Sequence, residues 1–247
     1  MEQIFTSENL ISLFTLTLLE VVLGIDNIIF ISILSNKLPA DQEPKARNIG
    51  LLLALVLRLI LLGGISIIIS LQAPLFQLFD KDISGKDLIL LIGGLFLIAK
   101  STTEIHGKLE GEEESTHKSG KRVGALVSTI IQIGLINLVF SFDSILTAIG
   151  LVKEIWVMVG AVLGSTAVMF FFAKPVNDFI NKHPTFKILA LSFLIMIGFL
   201  LAMEAFDVHV DKGYIYFAMA FAFVIELLNM RLRKKSEPVQ LRNQQLD

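Results

Sequence analysis

Residues 19–29 read Leu19-Glu20-Val21-Val22-Leu23-Gly24-Ile25-Asp26-Asn27-Ile28-Ile29. Two carboxylic acids and an amide stand inside a run that is otherwise apolar or glycine. Residues 136–146 repeat the pattern as Ile136-Asn137-Leu138-Val139-Phe140-Ser141-Phe142-Asp143-Ser144-Ile145-Leu146. One offset, 117 residues, aligns Glu20 with Asn137, Asp26 with Asp143 and Asn27 with Ser144. A small residue, Gly24 or Ser141, precedes each aspartate by two. Apolar segments align easily by chance. Two polar clusters inside them, each with its acid, do not.

Both clusters lie in runs long enough to cross a bilayer, which takes about 20 mostly apolar residues. Seven such runs occur, at roughly 10–34, 49–71, 87–100, 124–150, 155–174, 186–205 and 213–230. Composition agrees. Of 247 residues 54% are apolar and 18% charged, where soluble domains have about 45–50% and about 25%. Mean hydropathy is +0.73. These values exclude a disordered chain, a coiled coil and a soluble enzyme with a charged surface. A net charge of −2 provides no basic field for nucleic acid. With no cysteine, disulfides, thiolate catalysis and iron–sulfur clusters are excluded.

Orientation follows from lysine and arginine. With seven spans, segments 35–48, 100–123, 174–187 and the tail share one side and hold sixteen of them. The other side holds four, Lys81, Lys86, Lys153 and Lys212, and Arg58 stays within a span. The basic side is expected to be cytoplasmic, with the amino terminus outside. A fainter echo links Ile92-Gly93-Gly94-Leu95 to Ile197-Gly198-Phe199-Leu200. A repeat of three helices has an odd span count, so its copies point in opposite directions. The expected fold is therefore all-α, with seven transmembrane helices: an inverted 3+3 repeat plus one. Residues 1–100 form the first repeat, 101–123 a cytoplasmic linker with the acidic run Glu112–Glu114, and 124–210 the second repeat. Residues 211–230 form the seventh helix and 231–247 a cytoplasmic tail.

A carboxylate at mid-bilayer costs at least about 2.5–3.5 kcal/mol. Glu20, Asp26, Arg58, Asp143, Glu204 and Glu226 therefore need an account, and several acids face one arginine. Glu226, near a span end, is read as interfacial. Glu20 and Asn27 are seven residues apart and share a helix face; Asn137 and Ser144 repeat that spacing. Gly24 and Gly134 are expected to allow local unwinding that frees carbonyls. The ligands are then all oxygen, which suits Mn²⁺, Mg²⁺ or Ca²⁺. A proton relay through the same acids stays open. His106 and His209 are read as loop residues, Trp156, Tyr214 and Tyr216 as interfacial anchors, and the methionines, Met169 among them, as packing. No nucleotide-binding or hydrolase motif is present, so no enzymatic activity and no organic cofactor are expected.

Residues 23–30, Leu23-Gly24-Ile25-Asp26-Asn27-Ile28-Ile29-Phe30, resemble a signature of the TerC family. So do Gln132 through Phe140-Ser141-Phe142-Asp143-Ser144 and the run Lys212–Met219. The resemblance spans residues ~8–230. It implies membership of a wider exporter group that includes LysE-like amino-acid exporters and cation/proton exchangers. It further implies Mn²⁺ efflux, or delivery of Mn²⁺ to enzymes being secreted. Glu20, Asp26 and Asp143 match the family's acidic positions. Asn137 departs from it, because relatives commonly carry an acid there. The amide keeps an oxygen donor but removes one negative charge.

The expectation is a bacterial inner-membrane secondary transporter exporting Mn²⁺ as its substrate. Asp26 and Asp143 would be principal ligands and Asn27, Asn137 and Ser144 would complete the shell. Glu20 would supply charge or a proton route, and Arg58 and Glu204 would support or gate the site. A secretion-machinery partner and a homo-oligomer are both compatible with it. Two alternatives stand: an amino-acid or small-solute exporter, and a non-transporting partner of a secretion machine.

Overall fold

A computed structural model describes residues 6–78, 81–110, 121–208 and 210–232. Eight helices and one hairpin follow in order: α1 (Ser7–Ser35), α2 (Glu43–Gly63), α3 (Ile65–Ser70), β1 (Pro74–Leu78), β2 (Lys81–Ser84), α4 (Gly85–Leu109), α5 (Lys121–Leu151), α6 (Ile155–Lys182), α7 (Pro184–Glu204) and α8 (Lys212–Leu232). All but α3 are long and apolar enough to span a membrane, seven in total among the described residues. The protein is thus an all-α membrane protein. The acidic run at Glu112–Glu114, His209 and the tail from residue 233 lie outside the described residues.

The chain divides after Val210 into two units. In the first, α1 through α7, polarity is turned inward. Glu20, Asn27, Arg58, Asn137, Ser165 and Thr166 are buried, while Phe14, Ile60, Ile92, Phe171 and Phe199 are exposed. Exposed large apolar side chains match a solvent of lipid tails, and buried polar groups need partners inside the bundle. The second unit is α8, whose Tyr214, Phe217 and Phe221 are exposed.

Four element boundaries differ from expectation, each for a physical reason. The second span is not one helix, because the doublet Gly63-Gly64 ends α2 and the chain restarts as α3. Glycine's backbone freedom favours a break there. The third span is not short, because α4 continues to Leu109 through Lys100, Ser101 and Glu104. Lys100 holds Glu104 one turn on at 3.1 Å, and Lys37 pairs with the same carboxylate. Hydropathy marks where the lipid ends, not where the helix does. The fifth span runs past Pro175 to Lys182, since one lost hydrogen bond is tolerated where neighbouring helices pack. Finally, α1 is unbroken at Gly24 and α5 at Gly134. No carbonyl is released at either glycine. Gly24 faces Met169 and Gly134 faces Leu53, so both positions serve close approach.

Helix α1 runs alongside α6 in the same direction, with Leu13 against Gly160, Thr17 against Gly164 and Met169 against Gly24. Helix α2 packs on α5, with Gly50 against Ile133. Helix α4 packs on α7. Each main pairing joins one three-helix half to the other. Exchanging α1 with α5, α2 with α6 and α4 with α7 leaves this set of pairings unchanged. At the α4–α7 crossing, Gly94 and Gly198 meet backbone to backbone. A Cβ on Gly198 would lie 2.7 Å from the Gly94 carbonyl oxygen, and one on Gly94 would collide with the Gly198 carbonyl in return. Small residues let membrane helices approach this closely.

Gly94→Ala is therefore expected to lower unfolding stability in detergent by at least about 1–3 kcal/mol, the usual cost of overpacking. Gly150→Ala, with nothing within 4 Å of the new methyl, should be neutral or gain up to about 1 kcal/mol of helix propensity.

Candidate functional site

Three helices build the site. On α1, Glu20, Asp26 and Asn27 are all buried. On α5, Asn137, Ser141 and Ser144 are buried and Asp143 is partly so. Arg58, 3% exposed, comes from α2. Its Nη1 donates to Glu20 Oε2 at 2.5 Å. The expectation that this arginine neutralises one intramembrane acid is met.

Beside that pair lies a small enclosed cavity. Its polar lining is Asn27 from α1, Arg58 from α2, Asn137 from α5 and Thr166 from α6; Met169 of α6 lies at its edge. Free volume is about 10 Å³, room for roughly one water or one ion. Asn137 Nδ2 donates to the Ile133 carbonyl at 2.9 Å, which sets the amide so that its Oδ1 is the free end. Among the described residues neither Asn137 Oδ1 nor Asn27 Oδ1 has a donor, and both are fully buried. An unmet buried acceptor costs about 1–3 kcal/mol. Two of them, one from each half, border a void the size of an ion. The Thr166 hydroxyl gives its hydrogen to Val162 O at 2.7 Å, leaving its lone pairs for a ligand.

The remaining sequence-derived candidates fall elsewhere. Asp26 is next to Asn27 in sequence but about 100° round the helix, and neither it nor Asp143 lines the cavity. Ser144 Oγ donates to Ser141 O within its own helix. Glu204 lies at the end of α7, where Lys86 at the start of α4 reaches it at 3.1 Å. Among the described residues no three Asp, Glu, His or Cys side chains converge on one point. His106 is exposed in the last turn of α4. Of the six expected ligands, the structure brings Asn27 and Asn137 to one cavity, with Glu20 behind Arg58. Thr166 and Met169 were not expected, since α6 carries no acid in its span. Their signal was the buried face of α6, where Thr166, Met169, Ala173 and Asn177 recur three or four apart.

At the Asn36 end of the bundle a second polar group ties the halves together. Asn36 and Asn181 donate to each other at 2.6 and 3.1 Å. Asn177 Nδ2 donates to Glu43 Oε1 at 2.7 Å. These bonds join the ends of α1 and α6 and the start of α2.

Seven apolar helices with a buried ion pair and two buried amides define a multi-pass integral membrane protein with a polar site inside it. The chain belongs to the integral membrane protein TerC family, whose sequence profile matches residues 5–240. The UPF0053 inner membrane protein YgdQ of Escherichia coli K12 is 50% identical over 229 residues, 93% of this chain and 95% of the relative. A UPF0053 protein of Haemophilus influenzae is 49% identical over 233 residues, covering 94% and 98%. The UPF0053 inner membrane protein YoaE of Escherichia coli K12 is 47% identical over 223 residues, 90% of this chain but 43% of that longer protein. No solved structure matches the chain. Family and helices together make this a multi-pass inner membrane protein.

The buried pair generates a stability prediction. Glu20→Gln or Arg58→Met alone should cost about 3–5 kcal/mol, because each strands its partner in a dry interior. Replacing both, Glu20→Leu with Arg58→Met, should cost less than either single change. Unfolding of purified protein in detergent measures all three.

Proposed function

We propose that the chain is a secondary transporter that exports divalent metal ions, Mn²⁺ foremost, from the cytoplasm. One observation carries this reading: two buried amide oxygens, contributed by the two halves and lacking donors, border a cavity with room for one ion. Amide and hydroxyl oxygens are hard ligands, and such sites suit Mn²⁺, Mg²⁺ and Ca²⁺. The cavity is far too small for an amino acid, which favours the ion over a small-solute cargo.

The charges support a divalent cargo. With Glu20, Asp26 and Asp143 ionised, three carboxylates oppose the one guanidinium of Arg58, and two negative charges remain. That surplus matches M²⁺. Asn27, Asn137 and Thr166 would contact the ion, while Asp26 and Asp143 supply field from either side. Ser144 would serve only after a shift of its helix. A cation entering the cavity repels Arg58 and competes with it for Glu20, so the Arg58–Glu20 pair acts as a tethered counter-ion while no cargo is present. Carboxylates that lose a metal can take up protons, which makes proton exchange the natural coupling. Glu204, paired with Lys86 at the far end, would act as a gate rather than a ligand.

The halves are read as an inverted repeat, with the basic Asn36 side in the cytoplasm and the amino terminus outside. The bonds from Asn36 to Asn181 and from Glu43 to Asn177 then close the cytoplasmic face, and export requires them to open.

Mn²⁺ flux in reconstituted vesicles tests the reading. Asn27→Leu, Asp26→Asn and Asp143→Asn should each reduce flux by at least about tenfold, in the range seen when support of a metal site is removed. Asn137→Asp should tighten Mn²⁺ binding. Undiminished flux in Asp26→Asn and Asp143→Asn would remove the carboxylates from the mechanism. Amino-acid flux with no divalent flux would favour the small-solute exporter.

A further inference from the structure

We infer that Met169 sets the metal preference of the Asn27–Asn137 cavity by placing one thioether sulfur among its oxygen ligands. This rests on the export reading above and adds to it which divalent ions are favoured.

Met169 lies on the buried face of α6 and is 5% exposed. It lines the cavity together with Asn27, Asn137 and Thr166. Its position depends on Gly24 of α1. A Cβ at Gly24 would lie 2.6 Å from Met169 Sδ and 3.4 Å from its Cε. The thioether therefore occupies space against α1 that any side chain at position 24 would take. Gly24 is three residues before Asn27, on the adjoining part of the same helix face. The glycine thus seats the sulfur beside the amide that faces the void. An ordinary packing methionine has no need of such a slot, since its unbranched chain fills irregular gaps by changing rotamer.

The chemistry of one sulfur among oxygens is selective. An amide or hydroxyl oxygen serves Mg²⁺, Ca²⁺ and Mn²⁺ alike. A thioether is soft and uncharged, so it adds nothing to the general attraction of the site for cations. It is a poor substitute for water on Mg²⁺ or Ca²⁺, and an acceptable one on softer divalent transition ions and on Cd²⁺. A site of amide, hydroxyl and thioether donors with carboxylates behind it admits Mn²⁺ and penalises Ca²⁺ and Mg²⁺. Such a device matters for an exporter that works beside abundant cytoplasmic Mg²⁺.

The full chain in detergent, loaded with Cd²⁺, provides the test by X-ray absorption at the cadmium edge. The sequence contains no cysteine, so any sulfur neighbour of the metal is a methionine. The expected result is one sulfur neighbour in the unmodified chain, lost in Met169→Leu and kept in Met158→Leu. In competition binding, Met169→Leu should retain Mn²⁺ binding but lower its preference over Ca²⁺ by about tenfold. Gly24→Ala, which displaces the sulfur, should reproduce that loss. An oxygen-only shell in the unmodified chain, or a sulfur shell surviving Met169→Leu, would overturn this inference while leaving metal export standing. Failure of the unmodified chain to bind any divalent ion would overturn both. Should Met169→Leu fail to fold, the shell of the unmodified chain and of Met158→Leu still decides.

Discussion

Lipid tails solvate no charge, so every ionised or hydrogen-bonding group in the span of this protein must find its partner within the chain. The pair of Glu20 with Arg58 is the most demanding case, since both side chains are almost wholly buried. It links α1 to α2, and the void beside it links α1, α2, α5 and α6. The apolar exterior is undemanding by comparison, because Phe, Leu and Ile are at home in lipid at many positions. What limits the fold is the arrangement in which these few polar groups can all be inside together.

That arrangement needs backbones to come close. Glycine supplies the approach at Gly160 and Gly164 on α6, at Gly50 on α2, and most tightly where Gly94 meets Gly198. Each contact joins one half of the chain to the other. The polar cavity lies among helices of both halves, and the contacts that assemble the bundle are also those that would have to slide or rock in transport. Gly24 shows the two roles in one residue, since the space it leaves is taken by a side chain that reaches the cavity.

Much of this was legible in the sequence. Seven long apolar runs located the spans, and the 117-residue offset picked out both polar helices before any contact was known. The pairing of Arg58 with an acid followed from charge counting. Other features resisted. A glycine in an apolar run signals either a break or a close contact, and the sequence alone does not separate them. Gly24 and Gly134 proved to be contacts, whereas Gly64 marks the break. The site was legible by chemical class but not by membership. Acids draw attention in an apolar span, yet two amides rather than two aspartates face the void. Thr166 and Met169 escaped notice because neither is out of place in a membrane helix. Which of several buried polar groups share a cavity is a matter of helix rotation, and rotation is set by packing between elements far apart in sequence.

The central claim is that a divalent ion sits between the amide oxygens of Asn27 and Asn137. Crystals soaked in Mn²⁺ and measured with anomalous scattering test it directly. The account predicts a single strong manganese peak within bonding distance of both oxygens. A peak confined to the surface carboxylates, with ordered water or nothing between the two amides, would contradict it.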